Sequence, residues 1–318
     1  MAGTPVGRDA HHDVPLSNLA VKAFQGTTQY IAQQVLPIVP VGKQSDKFFV
    51  LDKDSWLRIG QSLRAPKTSP RRVTFRVSSD NFYCDNYALA GENSLEDLAN
   101  ADIAIRLRNN TAQFVTDMIL RDYENRVATM CTSGTNLGSY VSLSGTAKWS
   151  DLVNSDPLSD VTTAHAFIRK QTGLTANAAI IDEDTLAIVR RHPVILDLYK
   201  YTTGGQATLQ QVQDAFSVQK LLVGKGVKNN ALENATGSVT NIWGNNVLLA
   251  HIEPGVSLET ATFGLSFRWT PADLPAPMQA FRYADADPGK KTEVIEVGMY
   301  QDEKIVARDL SYGILATL

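Results

Sequence analysis

"TLAIVRRHPVILDLYKY", residues 185–201, sets two arginines, a histidine and a proline between two apolar runs. Three readings compete for such a cluster: an active site, a grip on nucleic acid, or two helices meeting. Asp182, Glu183 and Asp184 stand just before it, so a helix here opens with acids and closes with Arg190, Arg191 and His192 in its last turn. That order complements the helix dipole, at about 0.3–1 kcal/mol per charge. Pro193 cannot continue that helix but suits the first position of the next, over 193–199. The cluster therefore has a local explanation as a junction between two helices.

The flanks of this junction set the fold class. Asp156-Pro157 predicts a helix start with proline at its first position, and Gly173 predicts its end. Residues 178–181 form a short apolar run that predicts a buried strand. A further helix is expected near 209–216, then strands near 218–223, 247–252 and 262–269. Helices and strands mix without strict βαβ repetition, which predicts an α+β fold. Beyond Gln279 the chain alternates (Phe281, Tyr283; Val294, Glu296; Ile305, Ala307; Leu310, Tyr312), predicting strands that return to a long helix upstream.

That helix is expected over 94–132. Ser94 and Asp97 make a capping-box-like start, and apolar residues recur at three- and four-residue spacing from Leu95 to Met130. Gly134 is expected to close it as a left-handed glycine. As one helix it would span roughly 58 Å, a spine across a flat molecule, with a kink near Asn109-Asn110. A Ser/Thr/Gly-rich link carrying Trp149 follows at 135–155.

Upstream, residues 43–90 suggest a long β-hairpin with a loose tip, from period-two patterns at 48–50, 56–59 and 73–77. Between Lys43 and Arg76, the cations Lys43, Lys47, Lys53, Arg58, Arg64, Lys67, Arg71, Arg72 and Arg76 meet only Asp46, Asp52 and Asp54. The surplus is about +6 in one projecting element. A two-stranded hairpin is marginal alone, so it needs a partner surface. Residues 1–42 are polar and broken by Pro5, Pro15, Pro37 and Pro40, predicting an extended arm with a short helix near 16–32, ordered only against something else.

Composition excludes several functions. Among 318 residues, 30 Lys+Arg balance 33 Asp+Glu, unlike a dedicated nucleic-acid binder. Cys84 and Cys131, the only cysteines, make neither a metal cluster nor a disulfide framework, and a reducing compartment is expected. No apolar run has the length of a membrane span, and the first residues do not resemble a signal peptide. Gly224-Lys225-Gly226 lacks the spacing of a phosphate loop. His11-His12-Asp13 lacks further ligands for a metal, and Asp182-Glu183-Asp184 suits a helix cap better than a carboxylate site. His192 is the sharpest catalytic candidate, because adjacent arginines would lower its pKa, but nothing nearby supplies a nucleophile. No cofactor and no metal are expected.

Five stretches together resemble the tailed-bacteriophage major capsid proteins of the Hong Kong 97-type fold. "WSDLVNSDPLSDVTTAHAFIRKQTGLTANAAII" (149–181) is similar to the family's run of Trp, Asp-Pro, helix, Thr-Gly and strand. "TLAIVRRHPVILDLYKY" resembles its helix, His-Pro and Lys-Tyr. "SVTNIWGNNVLLAHI" (238–252), "TFGLSFRW" (262–269) and "KKTEVIEVGMYQDEKIVARDLSYGIL" (290–315) resemble the strands that follow. The similarity covers about 90–318, and its specificity lies in the order of the stretches.

The resemblance implies an N-terminal arm at 1–42, an extended loop at 43–90, a peripheral domain at 91–154 with 276–318, and an axial domain at 155–275. It implies hexamers and pentamers forming an icosahedral head around double-stranded DNA contacted without sequence specificity, built in the host bacterial cytoplasm. The extended loop would lie over a neighbour's peripheral domain, its cations meeting Glu293, Glu296, Asp302 and Glu303, with Arg190 or Arg191 reaching another subunit. The portal and a separate scaffolding protein are expected partners, because the residues before the loop are not a charged helical run; the resemblance also allows a decoration protein. No crosslinking set of lysine, asparagine and glutamate maps onto the chain. Two other readings remain: an encapsulin-like nanocompartment shell, and a soluble hydrolase using His192.

Overall fold

The computed structural model describes residues 11–12, 30–51, 57–60, 62–64, 66–74, 76–100, 104–200, 205–231, 237–253, 255, 261–271, 277–285, 287 and 289–318. The helix expected near 16–32 lies almost wholly outside them. In chain order the elements begin with β1 (His11–His12), α1 (Ala32–Val35), β2 (Ile38–Val41), β3 (Ser45–Leu51), β4 (Val77–Tyr83) and β5 (Asp85–Ser94). Next come α2 (Leu95–Asn100), α3 (Ala104–Thr132), β6 (Ser139–Ser142), α4 (Pro157–Thr172), β7 (Ala178–Asp182), α5 (Glu183–Val189), α6 (Pro193–Leu198) and α7 (Leu209–Ala215). The chain finishes with β8 (Lys220–Gly224), β9 (Val227–Asn229), β10 (Val239–Asn241), β11 (Val247–Ala250), β12 (Gly264–Trp269), β13 (Gln279–Ala284), β14 (Thr292–Ile305) and β15 (Ser311–Leu315).

Two sheets organise the molecule. In the first, β14 is the central strand: β13 pairs with its 293–298 stretch, β12 with 300–305, and β5 lines 292–301 from the other edge. β2 adds parallel to β12, and β1 to the edge of β13. The second sheet runs β6-β15-β11-β7-β8. Its β7 and β11 are buried along their whole length, as a strand covered on both faces must be. Sheet membership crosses the expected segments: β12 of 155–275 joins the β14 sheet, while β6 and β15 join β7 and β11.

The helix starts and stops of the second half follow their caps. Asp156 accepts from the N–H groups of Leu158 and Ser159, Pro157 occupies the first helical position, and Gly173 closes α4 in the left-handed region at φ 77°. Asp182 caps α5 through Asp184 N–H, and Thr208 caps α7 in a reciprocal box with Gln211.

Three expectations need correction. The spine is described as α2 and a 29-residue α3, about 44 Å long, and α3 runs unbroken through Asn109-Asn110. Gly134 is not the left-handed closing residue; it begins a 3-10 turn over Gly134–Asn136. The alternation at 57–59 and 73–76 does not produce strands among the described residues, because β3 and β4 pair only with each other and offer these segments no ladder. Trp56 lies outside the described residues.

One core cluster joins α3, α4 and the second sheet around Trp149, Phe216 and Ile181. A smaller one roots the hairpin: Phe48 and Phe82 flank Phe267 of β12 with ring centroids 5.2 and 4.5 Å away, over Cys84 and Leu265. Each such aromatic pair adds about 0.5–1.5 kcal/mol beyond area burial.

Candidate functional site

The junction at 190–192 is built for structure. α5 ends at Val189, and His192 is not in its last turn but is the cap of α6. The fully buried imidazole accepts the Val194 N–H at Nδ1 (3.3 Å), so Nε2 carries the proton and donates to Ser155 Oγ (2.9 Å). The Ser155 hydroxyl in turn donates to the Asp151 carbonyl (2.7 Å). Neither group is arranged as a base and its nucleophile: the ring nitrogen facing the serine already holds a proton. Burial holds the His192 pKa below its ordinary value, and the Asp156 carboxylate pulls weakly the other way. Desolvation, rather than the flanking arginines, is the cause. Arg190 Nε donates to the Ala207 carbonyl (2.7 Å), whose N–H donates back to Arg190 O (2.9 Å), and Arg191, exposed, donates to the Ala187 carbonyl (3.1 Å).

The remaining chemical candidates resolve in the same way. Cys131 is sealed in the core and Cys84 in the hairpin root, and burial raises both thiol pKa values, that of Cys84 to about 11. Both are packed side chains rather than nucleophiles. Asp182 and Asp184 share the Asn241 amide at 2.8 and 2.7 Å, which completes their cap. Lys225, in the turn between β8 and β9, lies 3.3 Å from Glu183. Among the described residues no group of three or more His, Cys, Asp or Glu could hold a metal, and no helix is long and apolar enough to cross a membrane.

The surfaces that stand out are on the hairpin and spine. Lys43, Lys47, Arg58, Arg64, Lys67, Arg71, Arg72 and Arg76 are all exposed, and Lys53 lies outside the described residues. Between them, apolar side chains also face solvent: Ile59 at 96%, Leu63 at 98% and Val73 at 81% exposure. An isolated exposed leucine is ordinary, but three such side chains on one loop mark a surface awaiting cover.

The four acids expected to receive the loop have partners in their own chain. Glu293 takes Arg108 Nε at 2.7 Å and Arg282 at 3.4 Å, and Glu296 accepts from the Tyr283 hydroxyl at 3.0 Å. Asp302 accepts the Tyr83 N–H at 2.9 Å and lies 3.6 Å from Lys304. Glu303, nearly buried, takes Arg126 at 2.9 Å, and that guanidinium lies 3.6 Å over the Tyr87 ring and also meets Asp122. Arg108–Glu293 and Arg126–Glu303 thus rivet α3 to the two ends of β14, a role that sequence spacing could not show across 177 and more residues.

Other exposed groups were missed. Thr111 Oγ1 donates to Asn93 (2.7 Å) and Arg126 covers Tyr87, so α3 runs along β5. On this side Leu89 is 41% exposed, Phe114 65% and Met118 41%. Asp85, Glu92, Glu96 and Asp97 are exposed on β5 and α2. Met118 belongs to the helical apolar spacing, and Phe114, one turn away, lies outside it and was the available signal of an exposed apolar surface.

No family model matches the chain. The major capsid protein of Pseudomonas phage JBD67 is 27% identical over 262 residues, covering 81% of this chain and 82% of that protein. The major capsid protein of Burkholderia phage BcepMu is 25% identical over 243 residues, 76% of each chain. The chain is similar in sequence to phage major capsid proteins over three quarters or more of its length. A phage-related protein from Bordetella bronchiseptica RB50 shares its fold with a TM-score of 0.74 at 22% identity, over 97% of this chain and 98% of that one. The mature capsid of bacteriophage PhiM1 gives a TM-score of 0.56 at 10% identity, over 90% and 87%. The α+β fold is thus the Hong Kong 97-type capsid fold, and the two curated relatives are named major capsid proteins.

Proposed function

We propose that this chain is the major capsid subunit of a phage head, assembling as hexamers and pentamers into an icosahedral shell around double-stranded DNA. The observation that carries the reading is the hairpin loop, whose cations and apolar side chains face solvent in the single chain. Burying one aliphatic side chain against a neighbour contributes about 1.5–3 kcal/mol, so Ile59, Leu63 and Val73 supply affinity while the cations set register. Their seat is the neighbour's spine surface: Leu89, Phe114 and Met118 for the apolar residues, and Asp85, Glu92, Glu96 and Asp97 for Lys43, Lys47, Lys53, Arg58, Arg64, Lys67, Arg71, Arg72 and Arg76. Glu293, Glu296, Asp302 and Glu303, each with a partner in its own chain as Glu92 has in Lys290, extend that acidic surface. Arg191, exposed beside α6, is the better placed of the two junction arginines to meet another subunit; Arg190 holds the 207 turn.

The proposed division keeps an arm at 1–42, a loop at 43–90, a peripheral domain at 91–154 with 276–318 and an axial domain at 155–275. A scaffolding protein, the portal and a decoration protein are the proposed partners, with assembly in the host cytoplasm and non-specific contact to the packaged DNA.

Electron microscopy of the full-length protein, produced with its neighbouring gene products, tests this. Uniform closed shells with five-fold vertices are expected, and packaged DNA on maturation. Particles that instead enclose a cargo enzyme would favour the nanocompartment reading, and a protein that never assembles would contradict both.

A further inference from the structure

Glu124 of α3 has no exposed surface, yet among the described residues no cation pairs with it. Three neutral donors satisfy it instead. Oε1 accepts from Ile31 N–H (3.1 Å) and from the Trp243 indole Nε1 (2.5 Å), and Oε2 accepts from Ala32 N–H (2.7 Å). The donors come from separate parts of the molecule. Ile31 and Ala32 begin α1, at the end of the arm, while Trp243 lies in the link between β10 and β11 of the second sheet. All three are buried. Trp243 reaches the carboxylate across Gly224, where a Cβ would stand 2.3 Å from the indole Cδ1. Two turns earlier on α3, Asp117 accepts from the Tyr30 hydroxyl (3.0 Å), and beyond α1 the Pro37 carbonyl accepts from Ser266 N–H (3.0 Å). The 30–37 segment is therefore held between the spine helix and the strands behind it.

We propose that Glu124 is a coupling key: one carboxylate ties the seating of the arm to the position of the second sheet, so that neither shifts against the spine helix without loosening the other. The physical reason is shared acceptance. A buried N–H that loses its acceptor bears its full desolvation cost. Oε1 serves the arm and the indole at once, so displacing Trp243 weakens what orients the carboxylate toward Ile31 and Ala32. Burial already favours protonation of Glu124 against the pull of its three donors. Removing one donor tips the group further toward the acid form, which accepts fewer hydrogen bonds. The inference concerns how the subunit changes shape and stands independently of what the shell encloses.

Amide hydrogen exchange on the full-length protein tests it, read by NMR at single residues. Trp243→Phe removes the indole donor but keeps an aromatic side chain and touches no arm backbone. Coupling predicts that the Ile31 and Ala32 amides exchange about tenfold faster in this variant, the factor carried by one hydrogen bond, while amides in the β13–β14 ladder are unchanged. Glu124→Gln, which sets an amide NH2 against one of the donors, should accelerate the same two amides at least as much. If Glu124→Gln fails to fold, the Trp243→Phe result decides alone. Unchanged exchange at Ile31 and Ala32 in Trp243→Phe, or a uniform acceleration across every amide, would overturn the coupling.

Discussion

The second sheet with its helices and the basic hairpin loop solve opposite problems. In the first, β7 and β11 are buried throughout, and the charged-looking junction at 190–192 turns out to be satisfied by its own carbonyls, a serine and a backbone N–H. In the second, a short root of Phe48, Phe82 and Phe267 carries a loop whose cations and aliphatic side chains point into solvent. The difference teaches where each part obtains its stability. The sheet region buries its side chains within one chain, whereas the loop leaves its aliphatic side chains exposed, the surface that the proposed neighbour would cover.

Substitutions should separate the two regions by magnitude. Phe216→Ala, in the sealed core beside Trp149, should cost about 3–5 kcal/mol in urea unfolding of the unassembled subunit. A loss under about 1 kcal/mol would break the claim that this region is self-contained. Glu303→Gln should cost about 2 kcal/mol, because it removes the buried one of the two carboxylates that Arg126 meets and leaves only the exposed Asp122. Double-mutant coupling with Arg126→Met, by the same unfolding measurement, would show whether the rivet acts as a pair.

His192→Ala should cost about 1–2 kcal/mol and change the pH profile. The folded-state pKa of His192 is depressed by burial, so its contribution is present above the unfolded value, about 6.5, and is lost as pH falls through the lower folded value. Wild-type stability should therefore decline on acidification below pH 6.5 more steeply than that of His192→Ala. Parallel profiles would show that the imidazole is not desolvated. At the small end, Ile59→Ser with Leu63→Ser should leave subunit stability within about 0.5 kcal/mol, as exposed positions do.

The same contrast explains what the sequence could show. Local chemistry was legible: Asp156 and Pro157 opened α4, Gly173 closed it, and Asp182 capped α5, because caps act within a few residues. Long-range pairing was not. The acids of β14 read as a surface for the loop; the partners that they also have within the chain, Arg108, Arg126 and Tyr83, come from α3 and β4, brought near only by the fold. The alternation at 57–59 and 73–76 imitated strands because period two reports side-chain pattern and not the presence of a pairing partner. The loop's charge surplus was visible in the sequence, while its exposed apolar side chains and the Leu89, Phe114 and Met118 surface emerged only with exposure known.

Charge reversal of the loop, Arg71→Glu with Arg72→Glu, tests the central claim most directly, with assembly followed by electron microscopy and the unassembled subunit by circular dichroism. The account predicts a folded subunit of unchanged secondary structure that no longer forms closed shells. Normal shells from the double variant would contradict it.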